Sequence, residues 1–182
     1  MATIHFLGWV ERRAGRMRAM LSLSPRAALN PFDLAPVLRA TIIPLTALKG
    51  LSEEDTRQLL VTDAESWSAG SVHLPGERVG IVINPTHAPT RIRATVMEEL
   101  AHIYLRHPPS QLISINGLSI RSFKKTHETQ AYWVGAATLV PLAILQHAQK
   151  AGRQRGDVAT DCGVSTQLVG FREKVTGVRL GV

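Results

Sequence analysis

One helical stretch constrains this chain more than any other feature of its sequence, because it places two acids and a histidine among apolar residues. Residues 95–105 read Thr-Val-Met-Glu-Glu-Leu-Ala-His-Ile-Tyr-Leu. Positions four apart in an α-helix project about 40° from one another, so Glu98 and His102 lie on one face and can bind one metal ion. Glu99 is displaced by about 100°, which puts it beside the ligand pair, where a metal-dependent hydrolase needs its general base.

The first ligand position departs from the usual H-E-x-x-H pattern, because Glu98 stands there in place of a histidine. A carboxylate can bind zinc, and a set of two carboxylates and one histidine is chemically possible. Such a set neutralises more of the metal's charge and makes water at the metal less acidic. A second interpretation stays open on this segment alone: Glu98 and Glu99 are ordinary helix residues, and His102 is a hydrogen-bonded core histidine.

Composition excludes several classes of protein. The chain has 182 residues, enough for one domain or one domain with a small appendage. Cys162 is its single cysteine, which excludes intramolecular disulfides and multi-thiolate zinc sites. No stretch approaches the roughly 20 apolar residues of a membrane span, and the N-terminal apolar run precedes a basic cluster, the reverse of a secretory signal. We therefore expect a cytoplasmic protein that has no membrane partner.

The chain is basic, with 21 Lys and Arg against 14 Asp and Glu and a net charge of +7. The excess is divided between the first fifty residues and the second half of the chain. It serves either solubility or attraction to an acidic partner or nucleic acid. Charge alone does not predict DNA binding, because the sequence has no dense Lys/Arg run with interleaved aromatic residues.

Hydrophobic periodicity and turn residues predict a mixed α and β fold. Thr90 and Thr126 are predicted to cap the two long helices. Gly135 and the alanines after it are small enough to let these two helices approach closely. Predicted helices cover 10–23, 33–40, 53–62, 90–106, 126–140, the stretch up to 150, and two pieces of 156–176; predicted strands cover 41–43, 66–73, 78–83 and part of 112–122.

Four segments, in this order, resemble the ImmA/IrrE family of metallo-endopeptidases over about residues 30–180. The strand end 81–85 precedes the helix, and 91–102 (Arg-Ile-Arg-Ala-Thr-Val-Met-Glu-Glu-Leu-Ala-His) resembles the family's R-x-R-F-T-L-A-H-E-L-G-H. The segment 128–141 resembles its E-A-N-x-F-A-A-x-L-L-M-P helix. Residues 158–177 resemble its C-terminal helix-turn-helix.

The resemblance implies roles for individual residues. Glu99 would be the general base and His102 a metal ligand. Glu98 falls where the family's first metal histidine stands, and some members of the family read M-E-E at this point. Counting back from Pro141, Gln130 falls where the third ligand, a glutamate, normally stands. Asn84, at the end of the strand before the metal helix, would lie at the rim of the substrate cleft.

The third metal ligand stays open between two residues. Gln130 carries a neutral amide, which is a poor zinc ligand compared with carboxylate or imidazole. Glu128 lies two residues earlier, about 200° around a continuous helix, and is expected to reach the same site only if the helix begins near residue 130. Glu128 can also be an N-terminal carboxylate that is stabilised by the helix dipole.

The tail has the spacing of a helix-turn-helix, with Ala159 under the crossing, Gly163 in the turn and Ser165 as the second cap. In that interpretation Gln167, Arg172 and Lys174 would face DNA phosphates or base edges. The competing interpretation is a helical hairpin that closes the core. Cys162, within the turn, is expected to be a small buried residue.

The expected fold is α+β, a zincin-like minimal metallopeptidase core with a small antiparallel sheet. Residues 1–152 would form that domain, including an N-terminal basic helix, and residues 153–182 a helix-turn-helix-like tail. The expected function is that of a zinc endopeptidase acting on an intracellular regulatory protein, since the resemblance implies cleavage of a helix-turn-helix repressor that controls a mobile element or stress response. The alternatives are an inactive member that binds a repressor, toxin or antitoxin, and a DNA-binding regulator that acts through the tail.

Overall fold

The computed structural model of the protein describes residues 4–74, 76, 78–108, 111–115 and 118–181. Helices and strands alternate irregularly along the chain, in agreement with the predicted α+β class. The helices are α1 (Ile4–Ala19), α2 (Pro31–Val37), α3 (Glu53–Arg57), α4 (Pro89–Leu105), α5 (Lys125–Leu139), α6 (Leu142–Lys150), α7 (Arg155–Cys162) and α8 (Thr166–Thr176). The strands are β1 (Ala40–Pro44), β2 (Ala69–Leu74), β3 (Arg78–Ile83), β4 (Gln111–Ile115) and β5 (Leu118–Ser122).

The strands form one five-stranded sheet in the order β1-β3-β2-β5-β4. The β2–β3 and β4–β5 pairs are antiparallel hairpins, but β1 runs parallel to β3. The predicted antiparallel sheet is therefore wrong for β1 and correct for the other three pairings. Hairpin partners are neighbours in sequence and can be recognised from their turn. The partner of β1 lies beyond α3 and β2, a crossover that local patterns do not reveal.

Helix α4 lies at the centre of the molecule and packs against α5, β2 and β3. Its buried face consists of Val96, Met97, Leu100 and Ala101, which have almost no exposed surface. The helix begins after Ala88, with Pro89 in its first turn. The prediction that Thr90 caps this helix is therefore wrong. Proline is favoured at this position because the first helical N–H has no partner to lose.

Helix α5 begins after Lys124, slightly before the predicted cap at Thr126. A Cβ atom on Gly135 would lie 3.3 Å from the Met97 carbonyl oxygen of α4, closer than ordinary van der Waals contact. The predicted close approach of these two helices is thus confirmed. Within the described part of the chain, no single helix is long and apolar enough to cross a membrane; α5 and α6 would be so only as a pair bent by 45°.

The C-terminal pair α7–α8 is packed onto the same apolar core as α1, α4 and α5. Gly163 has a φ of 63°, which glycine adopts without the penalty of a side chain. The Ser165 side chain accepts a hydrogen bond from the Leu168 N–H and caps α8, as predicted. Val158, Cys162 and Val169 of this pair are buried. The division at residue 152 stays a prediction.

Candidate metal centre

Three predicted site residues converge where α5 begins and α4 ends. Glu98 and His102 come from α4 and Glu128 comes from the first turn of α5. One ligand atom of each lies within 4.8 Å of those of the other two. The His102 Nε2 and Glu128 Oε2 atoms are 3.4 Å apart. We call these three residues the metal cluster.

Glu128 reaches this cluster although α5 is continuous from residue 125. The expectation that the helix must begin near residue 130 for Glu128 to reach is therefore wrong. Glu128 and Gln130 do project to different sides, as their spacing requires. The cluster lies on the side of Glu128, whereas the Gln130 Oε1 atom lies 3.0 Å from His107 Nε2.

The metal cluster fits a divalent cation in both chemistry and spacing. Two carboxylates and a neutral imidazole are all competent ligands for zinc. Two ligand atoms at about 2.1 Å from a tetrahedral ion lie about 3.4 Å from each other, which matches the distance between His102 Nε2 and Glu128 Oε2. Glu128 is 46% exposed, so the cluster opens to solvent on that side. These three residues could therefore hold a metal ion without large rearrangement.

Burial shifts the pKa values of all three residues of the metal cluster toward their uncharged forms. Burial, together with the nearby Glu128 and Glu99 carboxylates, raises the pKa of Glu98 to about 7. Burial also raises the pKa of Glu128, and it lowers the pKa of His102 to about 3 with help from His107 and His127. Because the His102 ring is neutral at physiological pH, its contact with Glu128 is not an ion pair. A neutral imidazole facing two carboxylates is what a cation requires.

Glu99, the predicted general base, lies beside the metal cluster and contacts the sheet. The Ser71 hydroxyl of β2 donates a hydrogen bond to Glu99 Oε2. Ser71 is only 2% exposed, so this contact is shielded from water. The sequence analysis did not identify Ser71, because a serine in a strand carries no signal that a distant helix will present a carboxylate to it.

A second histidine, His107, lies directly behind His102. The Arg106 backbone has a φ of 54°, and the His107 N–H donates to the His102 carbonyl oxygen at 3.1 Å. This is the hydrogen bond of a Schellman-type helix end, and it turns the chain back over the last helical turn. The two Nδ1 atoms of His107 and His102 are then 3.1 Å apart. From the sequence, His107 was a candidate for binding substrate or metal, and the prolines beside it indicated a loop or helix-end position instead; the helix-end position is confirmed.

Gln130 contacts the second histidine, His107. Its Oε1 lies 3.0 Å from His107 Nε2. Two further rings pack around this pair: Phe123 stacks on His102 with centroids 3.8 Å apart, and His127 stacks on His107 at 4.5 Å. Gln130 is thus positioned to support the cluster from behind.

Asn84, predicted at the rim of a substrate cleft, is fully buried. Its Nδ2 donates to the Ala64 carbonyl oxygen at 2.8 Å. Its Oδ1 accepts from the N–H and the hydroxyl of Thr86 at 3.0 and 2.7 Å. Asn84 therefore shapes the loop between β3 and α4, and its side chain is not presented at a rim.

The C-terminal residues predicted to face DNA are not equivalent. Arg172 is fully buried; its Nε donates to the Val140 carbonyl oxygen at 2.9 Å and its Nη2 to Glu11. The prediction that Arg172 faces DNA is therefore wrong. Gln167 and Lys174 are exposed. Cys162 is buried as expected, and burial raises the pKa of its thiol to about 11, which makes it a poor nucleophile.

Comparison with protein families identifies a relationship for most of the chain. The family model described as Peptidase_M78, the IrrE N-terminal-like domain, matches residues 55–174. The matched range contains the whole metal cluster, Ser71, all of α7 and α8 up to residue 174. No curated protein matches the chain.

Proposed function

We propose that this chain, which belongs to the Peptidase_M78 family of IrrE N-terminal-like domains, is a metal-dependent endopeptidase that acts on an intracellular regulatory protein. Its metallopeptidase-like character follows from the family. The observation that carries the proposal further is the convergence of Glu98, His102 and Glu128 within 4.8 Å, with Glu99 one residue from a ligand on the same helix.

Each side chain has a definable task in peptide hydrolysis. Glu98, His102 and Glu128 would hold the cation, for which zinc is the proposed identity. A divalent cation at this place would act as a Lewis acid on the scissile carbonyl. Glu99 would accept a proton from the attacking water and pass it to the leaving amine. The buried Ser71 hydroxyl keeps the Glu99 carboxylate in position for this transfer.

The proposed substrate is a repressor-type helix-turn-helix protein in the cytoplasm, and its support is the family resemblance of the four sequence segments. The sheet supplies a physical way to bind such a substrate once a segment is unfolded. β1 and β4 form the two outer edges of the sheet, and an extended peptide can pair with an exposed edge through backbone hydrogen bonds.

One observation favours a second candidate, an inactive family member that binds its partner without cutting it. Glu98 replaces the usual first histidine, and Gln130 has replaced the usual third glutamate. A site altered at two positions could have lost its metal while keeping the fold. In this case the partner would be a repressor, toxin or antitoxin. DNA binding through α8 has lost its main support with the burial of Arg172.

Glu99→Gln distinguishes the two candidates. We expect this variant to bind zinc like the wild type, because Glu99 is not a ligand, and to lose cleavage of a fluorogenic peptide library by a factor of about 10²–10⁴, the usual contribution of a general base. Zinc binding is measured by calorimetry and folding by circular dichroism. Cleavage that persists unchanged in Glu99→Gln rules out the assigned base. Wild-type protein that binds zinc but cuts no peptide and no partner favours the inactive binder.

A further inference from the structure

We propose that Gln130 and His107 together keep the ring proton of His102 on Nδ1, and so present its Nε2 lone pair to Glu98 and Glu128. In this role Gln130 and His107 are positioning residues and not ligands. The inference rests on the proposed metal function for its biological purpose. Physically, it states which ring nitrogen of His102 carries the proton in the metal-free protein.

The first step is the direction of the hydrogen bonds. Gln130 Oε1, 3.0 Å from His107 Nε2, can only accept, so His107 Nε2 carries a proton. In a neutral imidazole the other nitrogen is then an acceptor. His107 Nδ1 therefore accepts from His102 Nδ1, 3.1 Å away, and the remaining nitrogen of His102, Nε2, has no proton.

The second step is that the surroundings keep this chain of contacts in place. His102 is 3% and His107 9% exposed, so water competes little for their ring nitrogens. Phe123 stacks on the His102 ring and His127 on the His107 ring, and these contacts restrict ring rotation. The backbone bond from the His107 N–H to the His102 carbonyl oxygen fixes the two residues relative to each other.

The third step is that the other tautomer has its own stabilising contact. A proton on His102 Nε2 would lie near Glu128 Oε2, which is 3.4 Å from that nitrogen, and a carboxylate is a strong acceptor. That tautomer would block the nitrogen that a metal needs. Without an acceptor behind it, His102 is expected to adopt this blocked form. The contact from Gln130 through His107 therefore favours the form that can bind a metal.

This role also gives a physical reason for the amide at position 130. Glu98, Glu99 and Glu128 already place three carboxylates around the cluster, and the pKa of Glu98 is raised by burial and by the Glu128 and Glu99 charges. A glutamate at position 130 would add a fourth negative charge nearby. Glutamine accepts the hydrogen bond from His107 without adding charge. Once Glu128 serves as the third ligand, a neutral acceptor is the better residue at position 130.

The test reads the tautomer by ¹⁵N–¹H NMR of the histidine rings in metal-free protein at pH 7.5. Wild type is expected to carry the His102 proton on Nδ1, and Gln130→Leu to move it to Nε2. Thr129→Ala is the matched control, because Thr129 is exposed on the same helix and its hydroxyl donates to the Lys125 carbonyl oxygen of that helix. Its tautomer should be that of the wild type. His107→Phe, which keeps a ring in the stack but has no acceptor, gives a second route to the same shift.

Zinc affinity supplies an independent readout. Loss of a residue that orients a metal-binding histidine typically costs about 10–100-fold in affinity, and we expect Gln130→Leu to lose zinc affinity in this range, with Thr129→Ala unchanged. A wild-type His102 that carries its proton on Nε2, or a tautomer unaltered in both Gln130→Leu and His107→Phe, overturns the inference. The expected tautomers in a protein that binds no zinc would support the inference and defeat the proposed function.

Discussion

Two groups of buried or half-buried charges in this molecule follow opposite rules. In the metal cluster, Glu98, His102 and Glu128 bring acids together around a neutral ring, and no cationic side chain among the described residues joins them. Under α8, by contrast, each charge has an opposite partner. Arg172 contacts Glu11, and Glu173 contacts Arg155 at 2.5 Å. We call these four residues the α8 cluster.

The two clusters show how buried charges that stabilise the fold differ from buried charges that form a binding site. A buried ion that is paired contributes to one specific packing, and removing its partner is costly. A buried, ionised acid near other acids lowers the free energy of unfolding. Such an arrangement is typical of a site that binds a cation. By this rule we expect the metal cluster to be functional and the α8 cluster to be structural, although Arg172 of the α8 cluster has the spacing of a DNA-contacting residue.

The largest expected change in stability comes from breaking the α8 cluster. Arg172→Met leaves Glu11 and the Val140 carbonyl oxygen without their partner and should lower the free energy of unfolding by roughly 3 kcal/mol. Lys174→Met is the matched control, because Lys174 is exposed on the same helix; it should change stability by no more than about 0.5 kcal/mol. Urea denaturation measures both. Equal effects of the two variants would mean that α8 is not anchored by Arg172.

In the metal cluster, by contrast, removing a charge is expected to raise the free energy of unfolding of the metal-free protein. The pKa of Glu98 is about 7 in the folded protein and about 4.3 in an unfolded chain. The folded state therefore binds the proton more tightly, and stability is lost as pH rises from about 4.5 to about 7, by up to roughly 3 kcal/mol. Glu98→Gln should remove most of this loss and make the metal-free protein more stable at pH 8 than the wild type.

Denaturation of metal-free wild type and Glu98→Gln at pH 5 and pH 8 checks this sign. The difference between the two proteins isolates the contribution of Glu98 from that of other titrating groups. A Glu98→Gln protein that is less stable than the wild type at pH 8 would show that Glu98 is compensated by a partner, and the contrast between the two clusters would fail.

A smaller effect is expected from the contact between Ser71 and Glu99, the proposed general base. Ser71→Ala removes the hydroxyl that donates to Glu99 and should lower kcat by about tenfold through loss of positioning. KM and zinc affinity should stay near the wild-type values, because neither the ligands nor the sheet edges change. Steady-state cleavage of a peptide and calorimetry with zinc measure these quantities. A change in zinc affinity with unaltered kcat would assign Ser71 to the metal cluster instead.

The part of the site that lies on one helix could be predicted from the sequence. The spacing of Glu98, Glu99 and His102 is local, and a regular helix converts it directly into geometry. The close approach at Gly135 was predictable for the same reason, since small residues on facing helices permit it. The starts of α4 and α5 were placed within two residues, since Ala88 and Lys124 are the N-caps where Thr90 and Thr126 were expected, whereas α1 begins at Ile4, six residues before the predicted start at residue 10.

What the sequence could not give are contacts between distant segments. The choice of Glu128 over Gln130 depends on which side of α5 faces α4, and the parallel pairing of β1 depends on a crossover. The turn of His107 onto His102 needs a left-handed backbone at Arg106. Arginine at this position does not predict that conformation. Arg172 has the spacing of a DNA-contacting residue, and its burial against Glu11, 161 residues away in sequence, overrides that pattern.

The central claim is that Glu98, His102 and Glu128 hold one divalent cation. Zinc titration of metal-free wild type, Glu128→Gln and Thr129→Ala, followed by calorimetry and checked by mass spectrometry of the intact protein, tests it most directly. We predict one zinc per chain for the wild type and for Thr129→Ala, and a loss of at least about tenfold in affinity for Glu128→Gln. A wild-type protein that binds no zinc, or a Glu128→Gln protein that binds it with wild-type affinity, would contradict the claim.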